Sequence, residues 1–516
     1  MRTLVFSLLL LASISSLTAC QTSRAVSFAY NDATYGGDTY KASDRTSVLF
    51  LMDGLSAEML RMSLQSDNAP HIANAFSLSR KARFSYGRAV FPSLTFPNIT
   101  SILTGHSVSD HPIIGNKVII DGKVADFENV TNWRDLAMTL QRKTIFYKLA
   151  ETSQSSVSYS YAFSGGATAF QVTSPEAAVS YLENDYASID TQTLSSLQGL
   201  LSETQPAKWP RFIFVHIVGI DATAHMYGPF DARVQSYIHS IDAQLAGVFK
   251  LLNHPAGLSA STREVNYAMT ADHGFKATQD HSPLEEVVEH MNRRIRVISD
   301  NRTAPLFIDE PLSPDDRLKL AKALLQVPHV GWAALKTENG VDLLRRSGDH
   351  ARITIAKTKC PNGDTAARFE WLRKSASSAN DSVVAPRIRS GTFPAPARQT
   401  ASVSRAIASL DESAATTNEQ IFTCLNDFDL ATGPDDDSYI VPALVNYFQA
   451  AKAPDMVFIP DDHSDFATGY AGNHGGLSRD EMLVPVLTKD VEMTRGIHPT
   501  YDLLKTMGLE LDELPK

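Results

Sequence analysis

Apolar residues along this chain gather in short unbroken runs, separated by longer stretches where they recur at every third or fourth position. Ser47-Val48-Leu49-Phe50-Leu51-Met52 is largely apolar over one strand length, and Phe212-Ile213-Phe214-Val215-His216-Ile217-Val218 has the same character. Strands apolar on both faces belong to a parallel sheet that is covered on both sides. Tyr267-Ala268-Met269-Thr270 and Met456-Val457-Phe458-Ile459 are shorter versions. Val484-Pro485-Val486-Leu487 is a weaker one, and Pro485 predicts an edge or a strand end there. Between Asp231 and Leu252, Val234, Ile238, Ile241, Leu245, Val248 and Leu252 follow helical spacing and predict one amphipathic helix. Strands alternating with such helices define an α/β fold with a mostly parallel central sheet and helices on both faces. In sheets of this kind ligands gather beyond the carboxyl ends of the strands.

The pattern breaks between residues 276 and 450, which include a tract rich in Ser, Ala, Pro and Arg at 375–404. This stretch reads as an inserted cap region, with the catalytic core formed by 46–275 and 451–516. The length of 516 residues allows about 3 domains, and one large core with an insertion accounts for it. Composition changes little: 43% hydrophobic and 20% charged residues suit a globular protein. The net charge of -10 argues against a nucleic-acid scaffold, which needs clustered Lys and Arg.

The start of the chain reads as processing signal. Arg2 precedes an apolar stretch from Leu4 to Leu11, too short to cross a bilayer. Leu17-Thr18-Ala19-Cys20 resembles a bacterial lipobox, in which Cys20 becomes the lipid-modified first residue. An ordinary secretory signal explains the small residues but not the cysteine. Residues 1–19 are therefore expected to be a lipoprotein signal peptide and 20–45 a flexible tether. Gln21 points to an outer-membrane anchor facing the periplasm or the surface. Cys360 and Cys424 remain, either as two separate thiols or, as an oxidising periplasm favours, as a disulfide.

Strand ends carry the candidate chemistry. The first strand ends in Asp53-Gly54, the second leads to Asp221 and His225, and the third leads to Asp272-His273-Gly274. A histidine, His474, lies in the glycine-rich loop Gly472-Asn473-His474-Gly475-Gly476. Each alone has a structural explanation. Together, carboxylates and imidazoles at strand ends have the donor chemistry of a zinc site. In Phe91-Pro92-Ser93-Leu94-Thr95-Phe96-Pro97-Asn98, Pro97 suits a first helical turn, and Ile99, Ile102 and Leu103 continue with helical spacing. Thr95 is thus expected at a helix N-terminus, where backbone N–H groups and the helix dipole favour negative charge.

These residues resemble the alkaline phosphatase superfamily, specifically its nucleotide pyrophosphatase/phosphodiesterase branch. The resemblance rests on Asp53; Thr95-Phe96-Pro97-Asn98; Asp221 and His225 with Tyr227-Gly228-Pro229 after them; Asp272-His273-Gly274; and Gly472-Asn473-His474-Gly475. Gly105 and Ile113-Ile114-Gly115-Asn116 also resemble the segment downstream of the nucleophile in that branch. The resemblance implies two divalent ions, with zinc the expected metal. Asp221, His225 and His474 would hold one, and Asp53, Asp272 and His273 the other, with Thr95 bridging toward it. It further implies hydrolysis of phosphate esters or nucleotides through a phosphothreonine. Asn98 and the Thr95 N–H would stabilise the charged oxygens.

Three departures refine the reading. Ile99 stands where related sulfatases need Arg and many phosphodiesterases have His. The segment from Tyr159 to Phe170 lacks the Lys-x-Arg pair of threonine-dependent monoesterases, and Phe163-Ser164-Gly165-Gly166 partly matches phosphodiesterases. A diester substrate therefore fits better on charge grounds. A monoester or phosphonate of the same superfamily is the alternative, and a surface binding protein that has lost catalysis is a third reading.

Overall fold

The structure is a computed structural model. It describes residues 44–78, 85–111, 113–129, 132, 136, 144–160, 162–170, 183–253, 264–291, 294–360, 365–373, 423–425, 439–467, 469–491 and 497–509. The leader, Cys20, almost all of the expected tether and the 375–404 tract lie outside the described residues.

The two longest apolar runs are adjacent strands. Arg45–Met52 lies parallel between Phe212–Ile217 and Glu264–Thr270. Ser156–Tyr159 and Ala169–Phe170 extend the parallel set beyond Phe212–Ile217. On the other side Leu483–Lys489 runs antiparallel to Glu264–Thr270, and beyond it lie Ser85–Arg88 and Ile497–Pro499. The sheet is therefore eight-stranded and mostly parallel, within an α/β fold.

Of the edge or strand end that Pro485 predicts, the edge is not found: Leu483–Lys489 is an interior strand, with Pro485 near its start. Its pairing with Glu264–Thr270 begins only at Leu487, and Pro485 faces Tyr86 of Ser85–Arg88. The missing N–H at Pro485 thus costs no hydrogen bond on the Glu264–Thr270 side.

Helices cover one face of the sheet, among them Ala57–Gln65, Tyr186–Glu203, Gly219–Tyr227 and Ala232–Asn253. Ala232–Asn253 buries Val234, Ile238, Ile241, Leu245, Val248 and Leu252, the stripe that its sequence spacing predicts, together with Phe249. Burial of each such side chain is worth about 1.5–3 kcal/mol, so this face alone anchors the helix. The opposite face carries Thr95–Thr104 and Ile145–Glu151, and its core continues into Ile440–Gln449.

A second eight-stranded sheet occupies much of the region expected to be an insertion, and its pairings are antiparallel. Met456–Pro460, expected in the central sheet, belongs here instead, between Ala304–Ile308 and Val330–Thr337. Its sequence is apolar because both of its faces are covered: Val457 and Ile459 meet the main core, while Met456 and Phe458 meet the helices Leu284–Met291 and Pro314–Leu324. The second sheet therefore shares the central core through Ile440–Gln449. Cys360 is disulfide-bonded, while the side chain of Cys424 lies outside the described residues. No described helix is long and apolar enough to cross a membrane.

Candidate metal centre and nucleophile

The carboxyl ends of the three central strands deliver their polar residues to one place. Asp53 comes directly after Met52, Asp272 and His273 come just after Thr270, and the Phe212–Ile217 strand runs into helix Gly219–Tyr227, which carries Asp221 and His225 one turn apart. His474 arrives from the loop after the short strand Gly472–Asn473, which pairs with Lys276–Ala277. Two triads result, Asp221–His225–His474 and Asp53–Asp272–His273, each offering ligand atoms within 4.8 Å of one another. The rings of His273 and His474 stack at 3.7 Å and join the triads into one cluster.

Backbone geometry forces this convergence. Gly54 has φ +71 and donates its N–H to Asp272 Oδ1 at 3.2 Å. A Cβ at Gly54 would stand 2.5 Å from the Phe275 ring, so both the conformation and the space demand glycine. Helix Gly219–Tyr227 begins without a local side-chain cap. Asp190, far away in sequence, fills that role: its carboxylate accepts from Val218 N at 2.8 Å, Gly219 N at 2.9 Å and the Tyr237 hydroxyl at 2.7 Å. Burial of Asp190 raises its pKa to about 6.

Hydrogen bonding assigns the imidazole tautomers. His225 Nδ1 donates to Gly472 O at 3.0 Å, His474 Nδ1 to Ser93 O at 3.0 Å, and His273 Nδ1 to Gly274 O at 3.1 Å. A carbonyl can only accept, so each proton sits on Nδ1 and each Nε2 presents a lone pair to the cluster. The Nε2 atoms of His225 and His474 are only 3.1 Å apart and cannot both donate. Each also lies 3.6 Å from a different oxygen of Asp221. In the other triad His273 Nε2 lies 3.3 Å from Asp272 Oδ2 and 3.5 Å from Asp53 Oδ1.

Asp53 Oδ1, Asp221 Oδ1 and Asp272 Oδ2 are buried with no hydrogen-bond donor. Unpaired lone pairs from three carboxylates and three imidazoles, all facing inward, are costly unless a cation sits among them. Oxygen and nitrogen donors of this type suit zinc and related divalent ions. The anchoring of each imidazole through its second nitrogen is the usual way of fixing a ligand ring. The residues fit the metal centre that the sequence implies.

Electrostatics point the same way. Burial, reinforced by the neighbouring Asp272 and Asp221 carboxylates, holds Asp53 well above the ordinary carboxylate range. Burial and Asp272 do the same to Asp221. Burial, with help from His273, holds His225 down at about 3, and burial keeps His273 below its usual value and His474 well below. The imidazoles are therefore neutral, as ligands must be.

Thr95 is the first residue of helix Thr95–Thr104. Its Oγ1 lies 3.2 Å from His273 Nε2. Asn98 N donates to Leu94 O at 3.2 Å, Phe96 N donates to Asn116 Oδ1 at 3.1 Å, and Pro97 has no N–H. That leaves the Thr95 N–H as the first-turn donor available to an anion.

Asn98 does not occupy the position expected of it. Its side chain is fully buried; Oδ1 accepts from Val90 N at 2.6 Å, and Nδ2 faces Leu94 O, Pro92 O and Val90 O at 2.8, 3.1 and 3.3 Å. Its two amide protons are used in bracing the loop before Thr95, so Asn98 shapes that loop and donates nothing to a ligand. Asn116 is the amide beside the helix N-terminus, with Nδ2 donating to Glu128 Oε1 at 2.9 Å. Sequence alone assigns no role to Asn116, Asp190, His216 or Glu481; the polar residue inside an otherwise apolar strand is the one signal that could single out His216.

The sequence model of the type I phosphodiesterase / nucleotide pyrophosphatase family matches residues 47–477. Bovine (Bos taurus) ectonucleotide pyrophosphatase/phosphodiesterase family member 3 is 26% identical over 231 residues, which is 45% of this chain and 25% of that protein. This chain thus aligns with about a quarter of that curated relative's length. Phosphonoacetate hydrolase from Sinorhizobium meliloti 1021, solved with phosphonoformate, has the same fold at a TM-score of 0.53 and 14% identity, covering 91% of this chain and 96% of that one. Human ectonucleotide pyrophosphatase/phosphodiesterase 5 gives 0.52 and 12% with the same coverage. Since the family match runs unbroken from the strand before Asp53 to the loop beyond His474, the chain belongs to the type I phosphodiesterase / nucleotide pyrophosphatase family, within the alkaline phosphatase superfamily.

Proposed function

We propose that this protein is a hydrolase of phosphodiesters that works with two divalent ions and uses Thr95 as nucleophile. The observation that carries the reading is the convergence of two inward-facing ligand triads on one hydroxyl at a helix N-terminus. Asp221, His225 and His474 would hold one ion, and Asp53, Asp272 and His273 the other; zinc is the expected metal. Bound there, such ions acidify a coordinated hydroxyl and neutralise charge on attacking and leaving oxygens.

The chain's own groups do the rest. Thr95 Oγ1 attacks phosphorus, a P–O bond to threonine forms, and the bond to the leaving alcohol breaks. The Thr95 N–H and the positive end of helix Thr95–Thr104 stabilise the non-bridging oxygens as charge grows there. Water then cleaves the phosphothreonine.

Two features favour a diester over a monoester. Between Tyr159 and Phe170 the described residues bring no cation: Ser160 bonds His216, and Phe163 packs on Phe96 at 5.4 Å. Asn116 Nδ2, beside the nucleophile helix, is bonded to the Glu128 carboxylate, which opposes a second negative charge. The purified protein is expected to carry two metal ions per chain and to show a higher kcat/KM on bis-p-nitrophenyl phosphate than on p-nitrophenyl phosphate. A clear lead for the monoester would move the assignment to the phosphatase side of the superfamily.

The raised carboxylate pKa values predict how the ions couple to pH. In the ion-free fold Asp53 and Asp221 hold protons above the unfolded value of about 3.9. Between the unfolded and folded values these two carboxylates bind more protons in the native state, so their own contribution to ion-free stability falls as pH rises. The ions need those carboxylates ionised, so their affinity rises over the same range. The difference in Tm between ion-loaded and chelator-treated protein should widen as pH rises above the ordinary carboxylate range. A constant difference would mean that the carboxylates are already ionised without the ions.

For location, we propose a lipid anchor on Cys20 that holds the enzyme at the bacterial outer membrane. Labelled palmitate should enter the wild-type chain and not the Cys20→Ser variant.

A further inference from the structure

His216 is the polar member of the Phe212–Ile217 strand, with about nine-tenths of its side chain buried. Its Nε2 lies 2.8 Å from Asp53 Oδ2, and its Nδ1 lies 3.2 Å from the hydroxyl of Ser160, itself buried. With an ion bound Asp53 is ionised and only accepts, so Nε2 then carries the proton and Nδ1 accepts from Ser160. One oxygen of Asp53 is consumed by this bond. The other, Oδ1, has no donor and faces His273 Nε2 at 3.5 Å.

Asp272 in the same triad is divided in the same way, with Oδ1 on the Gly54 N–H and Oδ2 facing His273. Asp221 differs, since its two oxygens face His225 and His474 at 3.6 Å each. The tie on Asp272 comes from the main chain, so among the described residues His216 is the side chain that decides how Asp53 is presented.

We infer that His216, oriented by Ser160, is a positioning residue for the Asp53–Asp272–His273 centre. It holds Asp53 so that a single oxygen is offered to the ion. Its two ring nitrogens are bonded to Asp53 and Ser160 and neither reaches the Asp221–His225–His474 centre, so its loss weakens one of the two ions and spares the other. This role rests on the two-ion function proposed above.

Zinc titration of chelator-treated protein, by calorimetry, tests it alongside the visible spectrum of the cobalt-loaded form. Wild type should bind two ions. His216→Leu, with an unchanged circular dichroism spectrum, should keep one at wild-type affinity and bind the other about 10- to 100-fold more weakly. His216→Gln should recover most of that loss, because its amide can donate to Asp53 Oδ2; a merely space-filling role would favour Leu equally. Only one of the two cobalt contributions should change. Should His216→Leu not fold, Ser160→Ala, which frees the ring to turn, must still weaken one ion selectively. Wild-type affinity for both ions, or the same loss at both, in the folded variants would overturn the inference. Fewer than two ions in wild type would instead overturn the two-ion reading, and this one with it.

Discussion

Thr95→Ala is expected to lower kcat/KM on bis-p-nitrophenyl phosphate by roughly four orders of magnitude, about 5.5 kcal/mol of transition-state stabilisation. The loss is chemical, because the substitution removes little else. The N-cap of helix Thr95–Thr104 is Leu94, so the Thr95 hydroxyl caps nothing. Alanine is also the better helix former, by a few tenths of a kcal/mol. Stability should therefore hold steady or rise slightly. Both ligand triads remain, since the contact of Thr95 Oγ1 with His273 Nε2 at 3.2 Å is made from the edge of the cluster. Metal content should stay at the wild-type level while turnover disappears. Thr95→Ser keeps a hydroxyl at the same place and should retain most activity. A Thr95→Ala protein with more than a tenth of wild-type turnover would remove Thr95 from the mechanism.

Legibility in the sequence depends on whether a residue's partner is local. Five of the six ligands can be read because buried parallel strands leave an unmistakable apolar run, and the side chains just past its end must lie at one edge of the sheet; His474 is legible only through its glycine-rich motif. Thr95 can be read because Pro97 marks a first helical turn. Asn98 misleads for a physical reason. Its place in the motif says that it is near Thr95 but not which way it points, and the turn sends it back toward Val90, Pro92 and Leu94. Asn116 reaches the same helix end from 20 residues downstream.

The second sheet is hidden for another reason. Its strands from Gly340–Arg345 through Thr365–Arg373 interleave polar with apolar residues, and the two-residue turn Glu338-Asn339 that joins Val330–Thr337 to Gly340–Arg345 is not a dipeptide that announces a hairpin. Met456–Pro460 looks like its central-sheet counterparts because burial on both faces is all that its pattern reports. Sequence separation hides the supporting residues as well. His216 meets Asp53 across 163 positions, and Asp190 caps a helix 29 positions away.

Glu481 is the extreme case of such a hidden support, and its loss should cost far more stability than the loss of the Thr95 hydroxyl. Its carboxylate is fully buried and accepts from Arg302 Nε at 2.9 Å, Gly476 N at 2.8 Å and Ser478 N at 3.3 Å. Its own carbonyl accepts from Gly274 N at 2.8 Å, next to His273. Arg302 completes the frame: its N–H donates to His474 O at 2.8 Å, and its guanidinium reaches the carbonyls of Ser464 and Asp461. The ion pair thus braces the loop after His474 through Gly476 and Ser478, while the main chains of the same two residues hold Gly274 and His474. Removing a single partner leaves the other charge buried and unpaired, at a cost of about 3–5 kcal/mol. Glu481→Ala should therefore lower the urea midpoint sharply and weaken metal binding as the His474 loop loosens. Glu481→Gln, which keeps the shape and one acceptor oxygen, should lose less. Replacing Arg302 by Met together with Glu481→Leu should cost less than the two single losses added, because neither charge is then stranded. Urea unfolding of wild type, Arg302→Met, Glu481→Leu and the double variant measures that coupling. If Glu481→Ala lost under about 1 kcal/mol, the pair would be worth no more than an exposed one, and the loop carrying His474 would have to be held by its backbone contacts alone.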